Sequence, residues 1–265
     1  MASKLKSAKE LIVFLGKSGI AFLEAMMFTI IPKPRKNVAG EIVLITGAGS
    51  GLGRLLAVRF ACLGSVLVLW DINKEGNEDT CRMAQEAGAT RVYAYTCDCS
   101  QREDIYRVAE QTYKSFLPAM IANERGHLVC ISSAAGLIGV NKLADYCASK
   151  FAAFGFAESV FVETLVQKLH GIKTTIVCPF FIKTGMFEGC STACPFLLPI
   201  LEPEYVADKI VDAILQEKVY LNVPRFIYFV MLLKSILPVK VSMLLAGYMG
   251  IFNVMDGFVG KNKKN

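Results

Sequence analysis

The chain has 265 residues, of which 54% are hydrophobic, and its formal net charge is +6 at neutral pH. This length suits one large domain or two small ones, and the high apolar content indicates contact with a membrane. The basic residues gather near both ends without interleaved aromatic residues, which argues against nucleic acid as a partner and favours membrane lipid. Solvated tails are the alternative reading of those ends. Nine cysteines and two histidines lack zinc-ligand spacing, so we expect reduced thiols and no metal.

The first apolar stretch covers residues 11–31 and, as a helix, would reach about 30 Å, the thickness of the hydrocarbon layer. Lys17 and Glu24 interrupt it, and Pro32 begins a basic segment that ends at Lys36. No cleavage site of small residues follows. We therefore predict that residues 1–37 form a retained membrane anchor and a basic linker, either spanning the bilayer or lying in its interface. A buried N-terminal helix is the alternative.

Residues 38–218 alternate between short β-branched runs and helical patterns. Alternation of this kind predicts an α/β fold with a doubly wound parallel sheet. The predicted strands cover residues 42–45, 66–70, 92–95, 128–131 and 174–177. Residues 219–265 turn apolar again but are broken by prolines and lysines, which predicts a membrane-associating segment of interfacial helices with a basic tail. Packing of this segment against the sheet is the alternative.

A glycine-rich turn lies between the first predicted strand and the first predicted helix. Glycines there allow the backbone to approach a pyrophosphate, whose charge faces the amides at the start of the helix. The residues expected to bind the cofactor in this turn are Thr46, Gly47, Ser50, Gly51, Leu52 and Gly53. Asp71 ends the second strand, where a carboxylate accepts hydrogen bonds from ribose hydroxyls and repels a 2′-phosphate. The sequence therefore predicts NAD rather than NADP.

Tyr146 and Lys150 are four residues apart and share one face of a predicted helix. Ser133 follows the strand at 128–131, at the edge where a parallel sheet opens its ligand crevice. A lysine ammonium beside an oxidised nicotinamide would lower the pKa of a tyrosine phenol. Tyr146 would then accept the proton of an alcohol that Ser133 holds, while hydride leaves for the cofactor.

The pattern Thr-Gly-x-x-x-Gly-x-Gly, Ser133 thirteen residues before Tyr146, and Tyr-x-x-x-Lys resemble the short-chain dehydrogenase/reductase family. The resemblance implies a Rossmann-like NAD-binding catalytic domain over residues 38–218. It also implies that Asp98 contacts the adenine and that Pro179, Ile182 and Thr184 lie at the nicotinamide end.

Along its whole length the chain resembles membrane-bound, NAD-preferring members of this family that interconvert all-trans-retinol and retinal. That likeness implies a small lipophilic alcohol or aldehyde as substrate, a retinoid first of all, and the endoplasmic reticulum membrane with the catalytic part facing the cytosol. A homodimer is a further expectation. The apolar loop at 196–201 is the expected substrate lid, with a core-facing loop as the alternative. A hydroxysteroid dehydrogenase is the alternative enzyme.

Only 28 residues separate Asp98 from His127, which is room for one helix and a linker. The family has a helix, a strand, an Asn-Asn-Ala-Gly turn and a second helix there, so we predict that one central strand is missing. Either the first strand and the strand at 128–131 are left unpaired, or these two pair with each other. Both outcomes predict weak or absent turnover. A catalytically inactive membrane protein of the same ancestry is therefore a further hypothesis.

Overall fold

The computed structural model of the chain describes residues 2–98 and 116–259, and it divides into two units, Met1–Lys36 and Asn37–Asn265. The first unit is one helix, α1 (Ala2–Ile30). Its segment Lys9–Phe28 has 20 residues, a mean hydropathy of 1.7 and no burial inside the protein. Among the described residues, this is the one helix with the length and composition needed to cross a membrane.

The second unit alternates strands and helices, which confirms the predicted α/β class. Its first half contains β1 (Ile42–Thr46), α2 (Gly51–Cys62), β2 (Val66–Asp71), α3 (Lys74–Glu86) and β3 (Arg91–Thr96). Helical residues 116–122, here α4, lead to β4 (Gly126–Ile131), α5 (Ala144–Val166), β5 (Ile172–Pro179), α6 (Pro203–Leu215), β6 (Tyr220–Val223), α7 (Phe226–Ile236) and α8 (Val239–Tyr248). Short 3₁₀ turns lie at Ala134–Gly136 and Ile251–Asn253.

The strand pairs among the described residues are all parallel, and they form two three-stranded sheets in the orders β1-β2-β3 and β4-β5-β6. Over residues 2–98 and 116–259, no ladder joins β1 to β4. As far as the described residues show, this arrangement corresponds to the first of the two expected outcomes, in which β1 and β4 each have a partner on one side alone. The absence of one strand relative to the family remains a prediction. Because β6 pairs with β5, the sheet continues past residue 218, where the sequence placed the end of the catalytic domain.

The hydrophobic core is continuous even though the sheets are separate. Leu67 and Leu69 of β2 and Ile176 and Val177 of β5 are fully buried. Helix α2 packs directly against α6, and Arg59 of α2 donates to Asp208 of α6 at 2.7 Å. At the amino ends of the strands, Arg125 pairs with Glu41. Side-chain packing between α2 and α6 therefore joins the two halves.

Strands β1 and β4, which are not joined by a ladder in the described residues, are less buried than the central strands of a parallel sheet normally are. In parallel sheets the central strands are normally covered on both faces. Here every residue of β4 is only partly buried, and Ile42 of β1 is 72% exposed. The apolar sequences of these two strands are thus those of central strands, although each of them lies at an edge.

Candidate active site

The predicted glycine turn follows β1 and depends on glycine at two kinds of position. Gly47 and Gly51 have left-handed backbone angles, with φ of +68° and +51°. At Gly53 a Cβ atom would stand 2.1 Å from the carbonyl oxygen of Gly47, closer than any side chain permits. The turn therefore closes tightly on the first residues of α2, which presents the amides of that helix to the space in front of it.

Asp71 at the end of β2 is bonded to the glycine turn. Its Oδ2 accepts a hydrogen bond from the amide of Gly49 at 2.8 Å, and its Oδ1 accepts one from the amide of Asn73 at 2.8 Å. A Cβ at Gly49 would lie 2.9 Å from the Asp71 carboxyl carbon. The carboxylate is thereby fixed beside the turn, as a ribose-binding acid must be.

Arg54 also holds the turn in place, a role that the sequence did not reveal. Its Nε donates to Thr80 Oγ1 at 2.9 Å, and its Nη2 donates to the carbonyl oxygens of Gly76, at 3.1 Å, and Gly49. One guanidinium thus links α2, the turn and α3. Its position at the fourth residue of α2 is the only sequence signal for this role, and such a position is typical of many exposed arginines.

The second half of the unit brings Ser133, Tyr146 and Lys150 together. Ser133 follows β4 and is buried; its Oγ accepts from the amide of Ala135 at 3.1 Å and donates to the carbonyl of Pro179 at 3.4 Å. Tyr146 and Lys150 lie on the same face of α5, and Lys150 Nζ is 5.7 Å from the centroid of the Tyr146 ring. Lys150 Nζ also donates to the carbonyl of Ile131 at 3.3 Å.

Burial shifts the pKa values of both titratable side chains in this group. It raises the pKa of the Tyr146 phenol, and a hydrogen bond with Ser133 opposes that rise. Burial likewise lowers the pKa of the Lys150 ammonium, against the attraction of the nearby Cys130 and Cys178 thiols. Burial thus penalises both the phenolate and the ammonium. The sequence predicted a lowered tyrosine pKa from Lys150 together with an oxidised nicotinamide, and that combined effect remains a prediction.

One cavity of about 530 Å³ joins the glycine turn to the tyrosine. Its volume lies in the range of small-molecule sites. The predicted residues that line it are Gly47, Ser50, Gly51, Leu52, Gly53, Ser133, Tyr146, Lys150, Pro179, Ile182 and Thr184. Thr46, Asp71 and Asp98 are not part of its lining. Asp98 follows β3, where the amide of Cys97 donates to the carbonyl of Asp71 at 2.9 Å. The assignment of Asp98 to the adenine remains a prediction.

The far end of the cavity is apolar and aromatic, and its residues were not predicted. They include Leu143, Phe180, Phe181, Met186, Phe187, Ile251 and Val254. The rings of Phe187 and Tyr146 meet edge to face at 5.6 Å between centroids. Most of these side chains belong to loops, whose sequences have no regular hydrophobic periodicity. The apolar character of the C-terminal sequence was therefore the only feature that could have indicated them.

The loop at 196–201 is not the wall of this cavity, contrary to the expected lid. Leu198 and Leu201 are buried in the core, and the amide of Leu201 donates to the carbonyl of Phe181 at 2.8 Å. Phe196 is 97% exposed and does not line the cavity. The loop turns its leucines inward because they fill the space beside β5, and the cavity is instead closed by residues 186–187 and 251–254.

Within the described part of the chain, all of the cysteines are free thiols, and no group of histidine, cysteine or acidic side chains has the arrangement of a metal site. The cavity does fit a dinucleotide. A cradle of glycines that a Cβ would fill lies at one end, and a hydroxyl, a phenol and an ammonium lie at the other. A glycine turn after the first parallel strand, an acid after the second and this polar group define a Rossmann-like dinucleotide-binding oxidoreductase.

Comparison with known proteins identifies the family. The family model described as short chain dehydrogenase matches residues 41–116 and 111–194. Epidermal retinol dehydrogenase 2 of Homo sapiens is 64% identical over 308 aligned positions that cover all of both chains. Estradiol 17-beta-dehydrogenase 11 of Macaca fascicularis is 40% identical, covering 88% of this chain and 91% of its own. The chain belongs to the short-chain dehydrogenase/reductase family.

A solved structure shows the same fold. It is a short-chain dehydrogenase/reductase from Burkholderia phymatum in complex with NAD, with a TM-score of 0.62 and 21% sequence identity, covering 76% of this chain and 94% of its own. The alignment with the human relative has 308 positions, so at least 43 of them have no counterpart among the 265 residues here. The two matched segments of the family model meet at residues 111–116.

Proposed function

We propose that this protein is an NAD-dependent oxidoreductase that interconverts all-trans-retinol and retinal, or a closely similar lipid alcohol and aldehyde. The observation that carries the proposal is the single cavity that reaches from the glycine turn to Tyr146 and then into an aromatic end. The retinol dehydrogenase relative, at 64% identity over its whole length, supports a retinoid as substrate. The estradiol dehydrogenase relative, at 40%, makes a hydroxysteroid the second substrate to test.

The residues proposed to hold NAD occupy both halves of the cavity. The amides at Ser50–Gly53 would hold the pyrophosphate, and Asp71 would accept hydrogen bonds from the adenosine ribose. Asp98 is assigned to the adenine, and Pro179, Ile182 and Thr184 to the nicotinamide end. When bound, the cofactor supplies the acceptor or donor of hydride.

In alcohol oxidation, Ser133 Oγ holds the substrate oxygen and the Tyr146 phenolate accepts the hydroxyl proton. Lys150 lies on the same face of α5, where its ammonium favours that phenolate. In aldehyde reduction the neutral Tyr146 phenol returns the proton to the carbonyl oxygen. Burial raises the pKa of the Tyr146 phenol, so it favours the neutral form that donates this proton.

The proposed location is the endoplasmic reticulum membrane, with residues 1–37 as the anchor and residues 38–218, continued by β6, facing the cytosol. The apolar helix α1 supports this proposal, since its segment Lys9–Phe28 has the length and composition of a span. A homodimer is part of the same proposal and rests on the family resemblance.

The test is an NAD titration and a retinol-oxidation assay on the full chain in detergent. We expect Tyr146→Phe to reduce kcat/KM by about 10²- to 10⁴-fold, because it removes the acid–base group. NAD affinity should be unchanged in this variant. Tyr205→Phe is the matched control, because Tyr205 lies exposed on α6 and does not line the cavity.

In the described residues no ladder joins β1 to β4, which favours a second function, a membrane protein that binds NAD without turnover. That alternative predicts equal, negligible rates for the wild type, Tyr146→Phe and Tyr205→Phe, with measurable NAD binding. A folded chain without any NAD affinity would contradict both proposals.

A further inference from the structure

The last two helices leave an apolar surface uncovered. We define the C-terminal hairpin as α7 and α8 with their link, Leu237 and Pro238. None of the residues of α8, all of which are described, is buried, and in α7 only Ile227 is. The exposed apolar residues of the hairpin are Tyr228, Phe229, Leu232, Ile236, Val239, Val241, Met243, Leu244 and Tyr248. An exposed apolar surface of this extent indicates a partner.

The charge around the hairpin indicates which partner. Residues 219–255 contain no aspartate or glutamate, whereas Arg225 and Lys240 are basic. Lys234 is also basic, but its ammonium donates to the carbonyl of Leu137 at 2.7 Å. An apolar surface with basic residues alone complements anionic lipid headgroups. Two copies placed face to face would bring these cations together without a carboxylate. At 11 and 10 residues, α7 and α8 are shorter than a span, which takes about 20, so their geometry suits the interface.

The hairpin leads directly into the wall of the cavity. After α8 the chain turns at Gly250, whose φ is +70°, and the 3₁₀ turn Ile251–Asn253 follows at once. Ile251 and Val254 line the cavity, as do Met186 and Phe187. The end of an uncovered apolar helix is therefore also one side of the candidate active site.

Exposed apolar side chains continue from this wall to the surface. Met186, Phe252 and Phe258 are each at least 40% exposed. The Phe187 ring contacts Phe258 at 6.2 Å and Tyr146 at 5.6 Å between centroids. Aromatic contacts thus run from solvent-facing Phe258 to the proposed base.

The wall is fastened by polar contacts on both sides. Lys142 Nζ lies 2.7 Å from Asp256 Oδ1, and Asn141 Nδ2 donates to the carbonyl of Phe252 at 3.0 Å. On the other side, the amide of Val259 donates to the carbonyl of Glu188 at 3.0 Å. These contacts hold residues 251–259 as a fixed part of the site.

We propose that the C-terminal hairpin lies in the membrane interface and that the lipid alcohol enters the cavity laterally from the bilayer, between Phe187 and Ile251. The route rests on the proposed function, because it assumes that the cavity is the active site. The membrane contact does not, since it follows from the surface of the hairpin alone.

The membrane contact is tested by the depth of a tryptophan in the full chain. Trp70 is the only tryptophan, so Trp70→Phe provides an empty background. In it, Leu244→Trp places the probe on the hairpin and Tyr205→Trp places a control on α6. In vesicles of phosphatidylserine and acyl-brominated phosphatidylcholine, we expect Leu244→Trp to lose most of its emission and Tyr205→Trp to lose none. Equal emission from the two variants would overturn the proposal.

The route is tested by comparing two substrates. Leu244→Asp should lower kcat/KM for vesicle-bound retinol about tenfold, because a leucine no longer enters the interface. It should leave kcat/KM for a short water-soluble primary alcohol unchanged. Val166→Asp is the matched control, since Val166 is 74% exposed at the end of α5 and lies outside the hairpin.

The remaining outcomes separate the two proposals. Equal losses on both alcohols would contradict the route, because they indicate damage to the fold. A wild type that oxidises neither alcohol, but with Leu244→Trp still quenched, defeats the proposed function and its route and supports the membrane contact. An unquenched Leu244→Trp with a dimer by light scattering would show that a second copy covers the hairpin, and the membrane proposal would be wrong.

Discussion

The two three-stranded sheets carry different parts of the chemistry. The sheet β1-β2-β3 ends in the glycine turn and Asp71, which hold a dinucleotide. The sheet β4-β5-β6 ends in Ser133 and the segment from Pro179, and α5 lies beside it with Tyr146 and Lys150. Backbone ladders fix positions within each sheet, but between the sheets the described contacts are side-chain packing and ion pairs.

The two sheets also differ in how deeply their strands are buried. In β5 seven of the eight residues are buried, whereas β3 is mostly exposed, including Tyr93 and Tyr95. We call the sheet β4-β5-β6 with α5 the chemical half and the sheet β1-β2-β3 with α2 and α3 the cofactor half. The chemical half therefore has the more deeply buried core, whereas strands β3 and β1 of the cofactor half are mostly exposed or only partly buried. The residues that would bind the cofactor and those that would transfer the proton therefore belong to different sheets. The alignment of the two groups depends on the packing of α2 against α6.

The largest expected effect comes from inserting a strand that would pair with both β1 and β4. The segment of the human relative that has no counterpart here would be inserted between residues 98 and 127. A strand paired with both β1 and β4 fixes the nicotinamide end relative to Tyr146. Since ångström misplacement costs about a hundredfold in rate, we expect kcat/KM for retinol to rise about a hundredfold. The same insertion with Tyr146→Phe is the control and should stay inactive. An unchanged rate would show that the two halves are already aligned.

A smaller effect, confined to the cofactor half, is expected from Gly53→Ala. The new Cβ meets the Gly47 carbonyl at 2.1 Å, so the turn must shift. Overpacking of this kind costs about 1–3 kcal/mol, and NAD affinity should fall with it. Trp70 lies at the end of β2, so its fluorescence follows the unfolding of this half.

The control for Gly53→Ala lies in the chemical half. Gly155 of α5 has nothing within 4 Å of an added Cβ, so Gly155→Ala should stabilise the chain by about 0.4–1 kcal/mol and leave NAD affinity unchanged. If Gly53→Ala bound NAD as tightly as the wild type, the glycine turn would not be the cofactor grip.

The role of Tyr146 in the chemical half should be visible in the pH dependence of kcat/KM. Alcohol oxidation needs the Tyr146 phenolate, and burial raises the pKa of that phenol above its ordinary value. Below that pKa the phenolate fraction rises about tenfold per pH unit, so kcat/KM for oxidation should rise with the same slope from neutral pH upward. Reduction uses the neutral phenol and should be flat over this range. Tyr205→Phe should keep both profiles, and a flat oxidation profile would exclude Tyr146 as the base.

The cofactor end of the site was predictable because its signals are local. Gly47, Gly51 and Gly53 are required by backbone geometry, and Tyr146 and Lys150 share a face by helical spacing alone. The apolar end was not predictable, because Phe187, Ile251 and Val254 meet only through long-range packing of loops. The loop at 196–201 was misjudged for the same reason. Its apolar run fits a lid or a core equally well, and only the contact of Leu201 with Phe181 decides between them.

The smallest expected effect concerns the ion pair between the two halves. Arg125 and Glu41 precede β4 and β1, and their side chains are 71% and 38% exposed. Exposed pairs contribute about 0–1 kcal/mol, so Arg125→Ala should barely move the urea midpoint of unfolding. If packing of α2 on α6 aligns the halves, kcat/KM should also change less than about threefold, a difference below 1 kcal/mol. Arg82→Ala, which removes an exposed ion pair within α3, is the matched control. A fall in kcat/KM with Arg125→Ala that Arg82→Ala does not share would mean that this ion pair, rather than the helices, sets the distance between the cofactor grip and Tyr146.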